Sequence, residues 1–376
     1  MSNKKLWLVN DLVISEENCN MTCTYCLTDA SEFKVKHLNH PLRNPPVKLT
    51  YDGKFKQQID QVTEETVNNF DISILKVSGG EVMLIDKVLE FLKRESPKYK
   101  VLQILTNGMN LNERILDEFK KMGNVVMQIS IDHHTLEGNS HRFSSQRLQD
   151  ILLNRIDLVV KKGIPLELYC VLNNKSTAVL DSFLDYLLKY KDDDLTVCPF
   201  PVRGPLKDLY YPEKEQIQTV EKVINNFQKY KYILPPLPYM ERLYNFLIEG
   251  ERTFGCYLSR MVFGSFNDGS VTACPNIWFN HLGNLIHDEP KRVLNKVENT
   301  RFYSLLNASK PRLEACKSCY TPWDLLSLYV EDQITIDELA ESPMYRNNDV
   351  RDRLVELKNK IKKGPIKIKE ELCENI

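Results

Sequence analysis

From the N-terminus to about residue 230, apolar runs of strand length alternate with amphipathic stretches of helical length. Runs that lack polar alternation suit parallel strands buried on both faces. The strands expected are Leu6 to Ile14, Ile72 to Val77, Val101 to Leu105, Val125 to Ile131, Leu166 to Leu172 and Leu195 to Phe200. Between them, apolar periodicity predicts helices over Gln57 to Phe70, Ile85 to Arg94, Asn112 to Met122, Arg147 to Lys162, Ala178 to Tyr190 and Glu213 to Tyr230, with Asn112 and Ser176 as candidate caps. Six βα units in succession predict an α/β fold built on a partial or complete barrel of the TIM type.

Leu234-Pro-Pro-Leu-Pro238 breaks this rhythm, and a domain boundary is expected there. The expected division is 1–233 for the barrel, 234–345 for a smaller α+β domain, and 346–376 for a C-terminal helix and charged tail. The smaller domain should hold one helix and a hairpin around Asn267-Asp268-Gly269. The stretch Arg351 to Lys369 reads as a charged helix with a solvated face. A loop rich in Pro and Asn, His37 to Pro46, is long for a βα connection, and such loops often contact substrate or act as lids.

Charge adds little: 50 basic and 51 acidic residues give a formal charge of -1, so no global field draws the chain onto nucleic acid or an anionic membrane. The N-terminal apolar stretch is broken by Asn10 and Asp11 before it reaches signal-peptide length, and no window approaches a membrane span. A cytoplasmic protein is expected, acting on a peptide or small molecule.

Ten cysteines change the picture. In a reducing compartment their clustering points to metal or catalysis rather than disulfides. Cys19, Cys23 and Cys26 follow the first strand, at the barrel end where active sites gather; Cys256, Cys274, Cys316 and Cys319 lie late in the chain; Cys170, Cys198 and Cys373 stand alone. Three thiolates leave one iron of a cubane open to another ligand, whereas a closed zinc site wants a fourth, and after Cys26 no Cys or His follows before His37.

Cys19-x3-Cys23-x2-Cys26, with Tyr25 before the last cysteine, resembles the signature of the radical S-adenosylmethionine (SAM) superfamily. Three further segments fall in that family's order on successive strand ends. Gly79-Gly80-Glu81 is similar to its motif for the amino group of SAM, Thr106-Asn107-Gly108 to its third-strand segment, and Ser130-x-Asp132 to a serine-x-acid pattern whose hydroxyl and carboxylate face SAM, with Arg142 as a candidate partner for a carboxylate. The resemblance implies a four-iron four-sulfur cluster on the three cysteines. It also implies reductive cleavage of SAM to a 5'-deoxyadenosyl radical, hydrogen abstraction from a substrate, and an electron donor such as flavodoxin or ferredoxin.

Cys256, Cys274, Cys316 and Cys319 resemble the start of the SPASM extension, but no further cysteines follow at the expected places, so the set is closer to the shorter Twitch extension with one auxiliary cluster. On the residues alone, four thiolates also suit structural zinc. The implied fold is a partial (β/α)6 barrel with a smaller C-terminal α+β Fe–S domain.

Cys198, in the sixth strand, is a candidate hydrogen-atom donor if it points into the barrel; otherwise it is a small buried hydrophobe. Arg203 and Gly204 follow the same strand, where the arginine could reach an anionic group. His133, His134 and His141 cluster after the fourth strand, as a conceivable second metal site or as solvated loop histidines. The expected activity is peptide modification by crosslinking, thioether formation or epimerisation. The start of the signature at Cys19 leaves little room for a leader-binding domain, and a small-molecule dehydrogenase or cyclase (sugar, cyclitol or nucleotide) is the alternative; a zinc-stabilised scaffold is the non-enzymatic one.

Overall fold

A computed structural model describes residues 4–16, 18–26, 48–204, 207–278 and 281–364. The predicted loop His37 to Pro46 and Cys373 lie outside the described residues. Six strands appear where the apolar runs placed them: β1 (Lys5–Val13), β2 (Phe70–Ser78), β3 (Val101–Thr106), β4 (Val125–Ser130), β5 (Leu166–Leu172) and β6 (Leu195–Pro201). Consecutive strands pair in parallel, in the spatial order β6-β5-β4-β3-β2-β1. Helices Gly53–Asn69, Val88–Glu95, Glu113–Met122, Gln146–Lys161, Leu180–Leu187 and Lys214–Asn225 cross between strands or cover the sheet. The result is a six-stranded partial barrel, and among the described residues the sheet does not close.

The C-terminal region joins this same sheet. β7 (Val262–Phe266) pairs in parallel with β1, and β8 (Ser270–Thr272) and β9 (Gly283–Asn284) continue antiparallel around the predicted Asn-Asp-Gly turn. β1 is therefore an interior strand, buried from Trp7 to Val13. Ahead of β7 the chain runs through helix Leu237–Glu249, entered by the predicted Pro-rich break. More helices follow than the single one expected, among them Pro290–Asn299 and Asp324–Val330.

Two local expectations change. Asn112 caps its helix, accepting from Ile115 N at 3.1 Å. Ser176 does not cap: its hydroxyl donates to Val171 O at 2.7 Å and accepts from Asn173 N, tying the chain back onto β5. The charged C-terminal helix, Asn348–Lys363, is not merely a solvated face. Val350, Leu354, Leu357 and Ile361 form a buried stripe at helical spacing, and the helix packs on β1 and β2. Among the described residues no helix is long and apolar enough to cross a membrane.

Candidate active site

A cavity of about 230 Å³ opens at the C-terminal ends of the barrel strands. Cys19, Cys23 and Cys26 line it from the loop after β1, with Gly79 and Gly80 after β2, Thr106 closing β3 and Asn107 just past it, and Ser130 closing β4. The thiols are close enough to act on one another. Burial first, opposed by the nearby Arg142 and helped by negative charge on Cys26 and Cys19, pushes Cys23 up to about 12. Cys23 would ionise only with a cation to hold it.

The glycine pair positions this loop. Gly80 N donates to Ser15 O and Glu81 N to Asn18 O, each at 2.6 Å, so the turn after β2 is bonded directly to the chain leading into the cysteines. A Cβ on Gly79, whose φ is +148°, would lie 2.4 Å from Ser15 O, and one on Gly80 2.5 Å from Asn18 O. Only glycine allows two backbones this close. On the other side Thr24 N donates to His141 O, and the Thr24 hydroxyl meets His141 Nδ1, both at 3.0 Å.

The two acidic residues singled out for ligand contact turn inward. Glu81 is buried and accepts from Thr106 Oγ1 at 2.6 Å, Met83 N at 2.9 Å and Asn107 N at 2.6 Å. Burial raises its pKa, opposed by these three bonds. It is a strut that fixes the turn after β3, not a cavity group. Asp132 is likewise buried: it accepts from the Tyr25 hydroxyl, Arg142 Nε at 3.1 Å, Val171 N at 3.1 Å and Asn173 Nδ2 at 3.3 Å. The residues it anchors do face the cavity. The Arg142 guanidinium lies over the Tyr25 ring at 5.5 Å and reaches Cys23 Sγ at 3.9 Å. The physical reason is common to both: a buried carboxylate among backbone N–H groups is satisfied where it stands.

The whole arrangement, a thiol loop after the first strand with glycine, threonine-asparagine and serine segments on the next three, matches one family. Residues 13–187 fit the model of the radical SAM superfamily. These residues form a radical SAM domain. The fold likeness extends past it. Against anSMEcpe with bound AdoMet the TM-score is 0.57 at 16% identity, over 95% of this chain and 96% of that one. Against SuiB of Streptococcus suis it is 0.57 at 12% identity, over 80% of this chain and 68% of that one.

The radical SAM family implies a four-iron four-sulfur cluster and SAM. Three thiols from one loop, half-buried at a cavity mouth, are the soft donors such a cluster takes. Among the described residues no three His, Cys, Asp or Glu side chains have the spacing of ligands around one ion.

Cys256, Cys274, Cys316 and Cys319 also converge, from before β7, after β8 and beside helix Glu314–Lys317. Cys274 is raised by burial first, then by negative charge on Cys256, Cys319 and Cys316. Buried Arg252 ties this site together, pairing with Asp324 and donating to Phe254 O at 3.1 Å, Gly255 O at 3.0 Å and Cys319 O at 3.1 Å. Asn276 links it to the cavity, lying 3.9 Å from Cys319 Sγ and accepting from Arg203 Nη1.

Other candidates fall elsewhere. Cys198 does not face the thiol-lined cavity; it lines a separate, water-sized space of about 30 Å³ with Glu167 and Tyr345. Cys170 is buried, its Sγ 3.3 Å from Asp132 O. Gly204 takes a positive φ of 91° just past Arg203. Among the described residues the three histidines form no metal-ligand group, and His134 and His141 stay half-exposed. His133 is buried and bonded to Thr135, Val179 O and Ser182 Oγ; His134 stacks on Tyr186 with ring centroids 4.4 Å apart; His141 holds Thr24 and Asn174.

A row of polar residues escaped the sequence reading. Asp11, Lys76 and Gln128 on β1, β2 and β4 line the inner cavity, and Gln103 and Glu167 on β3 and β5 bond to each other at 2.6 Å. Each interrupts a largely apolar strand, Asp11 beside Asn10, and that recurrence was the available signal: a polar residue in a strand buried on both faces must meet polar surroundings.

Proposed function

We propose that the chain is a radical SAM enzyme that modifies a peptide, with Cys19, Cys23 and Cys26 holding the SAM-cleaving cluster. The observation that carries this is the convergence of those thiols with Gly79, Gly80, Thr106, Asn107, Ser130 and Arg142 on one cavity. The bound cluster supplies the electron that cleaves SAM reductively. Of the chain's own groups, the glycine backbone, Asn107 and Ser130 bind the polar end of SAM, and Arg142, charged and locked by Asp132, faces its carboxylate. Tyr25 and the barrel wall keep water from the reacting carbon.

We assign residues 1–233 to the barrel, 234–345 to a Twitch-type unit whose four cysteines hold an auxiliary cluster, and 346–376 to the covering helix and tail. Asn276, between Cys319 and Arg203 at the cavity wall, favours an auxiliary cluster that takes an electron from oxidised product. A peptide substrate is supported by the fold neighbours, since SuiB is known bound to precursor peptide SuiA and anSMEcpe bound to AdoMet and the Cp18Cys peptide. Soft thiol sites of this kind suit a reducing cytoplasm and an electron donor of the flavodoxin or ferredoxin type.

The test is anaerobic reconstitution, iron counting, and assay of 5'-deoxyadenosine with dithionite and SAM. About eight irons are expected. Replacing Cys19, Cys23 and Cys26 with alanine should remove about four and abolish cleavage; replacing Cys316 and Cys319 should remove the other four and spare cleavage. Retained cleavage without the first three thiols would overturn the assignment. Incubation with a short precursor peptide encoded beside the gene should yield a mass loss of two hydrogens or, for epimerisation, deuterium uptake from D2O. Turnover of a small metabolite instead would overturn the peptide reading.

A further inference from the structure

The turn after β8 touches two of the four C-terminal thiols through one residue. Ile277 N donates to Cys274 O at 3.1 Å and Trp278 Nε1 to Pro275 O at 2.7 Å, which closes Cys274-Pro275-Asn276 into a tight turn. The backbone N–H of Asn276 bonds the Cys274 thiol. Its side-chain Nδ2 lies 3.9 Å from Cys319 Sγ, within reach of a sulfur acceptor, while its Oδ1 accepts from Arg203 Nη1.

A side-chain amide can present either end to a neighbour, and the two ends act on a thiolate with opposite sign. Arg203 decides which end points where. A guanidinium only donates, so Arg203 holds the oxygen of Asn276 to itself and leaves the NH2 for Cys319. Arg203 also acts on Cys319 as a charge: burial raises that thiol first, and Arg203 is the foremost of the groups opposing it, ahead of Arg252. Both contributions favour negative charge at the sulfur, and both come from residues that line the cavity. Reducing an iron–sulfur cluster adds negative charge that its thiolate sulfurs share. A donor and a cation beside one of them therefore stabilise the reduced form and raise the potential.

We infer that Arg203 is a positioning residue for an auxiliary cluster on these cysteines. By fixing the Asn276 amide with its NH2 on Cys319, it raises the cluster's reduction potential from the cavity side and biases the cluster toward taking an electron. This deepens the reading of Cys256, Cys274, Cys316 and Cys319 as an auxiliary-cluster site and rests on it. Arg203 acts through the amide, so its removal should change the potential and leave the cluster in place.

The test is a midpoint potential. Reconstituted holoenzyme with SAM is titrated with dithionite against mediator dyes while its electron paramagnetic resonance signals are followed; SAM binds the open iron of the first cluster and shifts that signal, which leaves the auxiliary one identified. Arg203→Met frees the amide to turn and should make the auxiliary cluster roughly tenfold harder to reduce, a fall of about 59 mV for one electron. Asn276→Asp removes the NH2 and sets a carboxylate beside Cys319, and its potential should fall further. Arg203→Lys keeps a donor-only cation and should fall by less than half as much as Arg203→Met. Iron content of about eight per chain checks that each variant keeps both clusters. An unchanged potential in Arg203→Met would overturn the inference, and so would equal falls in Arg203→Met and Arg203→Lys, which would make the loss one of packing. Should Asn276→Asp lose iron, the two Arg203 variants decide alone. A wild-type chain without a second reducible cluster would remove the auxiliary-cluster reading and this inference with it, while its release of 5'-deoxyadenosine, assayed separately, would still vouch for the SAM-cleaving site.

Discussion

Asp132 is the place to test whether an acidic residue near the site is an anchor or a ligand contact. Its side chain is wholly buried and that of Arg142 nearly so, and the carboxylate takes four donors. Asp132→Asn keeps one acceptor oxygen, but it turns an NH2 toward Asn173 and strips Arg142 of its counter-charge. Removing one partner of a buried pair costs about 3–5 kcal/mol, and that range is expected here. Arg142→Met should cost less, roughly 1–3 kcal/mol, because Tyr25, Val171 N and Asn173 still donate to the carboxylate. The double variant should be less destabilised than the sum by about 1–3 kcal/mol. Urea unfolding followed by circular dichroism under anaerobic conditions measures all four corners of the cycle. An Asp132→Asn protein within about 0.5 kcal/mol of wild type, or two losses that simply add, would refute the anchor.

Gly80→Ala should move the cysteine loop by roughly 1 Å to clear Asn18 O, leaving iron content intact but cutting 5'-deoxyadenosine formation about a hundredfold; a wild-type rate would count against the loop–turn contact. Cys198→Ala should change product yield and stereochemistry by less than about twofold, since Cys198 lines its own small cavity, and product loss with cleavage retained would restore it as a hydrogen donor. For pH, burial first and His134 second depress His133 from 6.5 to about 4. The unfolded chain takes up the proton first, so this contribution is present above pH 6.5 and is lost as pH falls toward 4, about 3 kcal/mol in all. His133→Gln should flatten that part of the stability profile, and identical slopes in both proteins would contradict the assignment.

The barrel strands were legible to within about two residues, because a strand buried on both faces has no polar alternation to blur its ends. The thiol loop and its companion segments were legible as types and as an order. Orientation was not: Glu81 and Asp132 lie where the motifs placed them, yet backbone N–H groups draw both carboxylates inward. The row of Asp11, Lys76 and Gln128 was hidden for a different reason. Within each strand an isolated charge or amide looks like noise, and only strand pairing, which sets Asp11 beside Lys76, gathers them into one layer. Past residue 234 several helices are only a turn or two long, and Asp324–Val330 is buried along its whole length, so no amphipathic period marks those, whereas the longer Asn348–Lys363 carries one and was legible.

The parallel pairing of β7 with β1 bears on how the molecule is made. At ribosomal speed, residues 262–266 leave the tunnel some 12–50 s after Val13, and for that interval the first strand keeps one hydrogen-bonding edge bare. An open, apolar edge is a template for wrong partners. A nascent chain of this design depends on a chaperone, or on rapid completion, at the strand that leads into its first cysteine loop. A message cut short ahead of β7 would yield an aggregating fragment rather than a barrel lacking its second cysteine group.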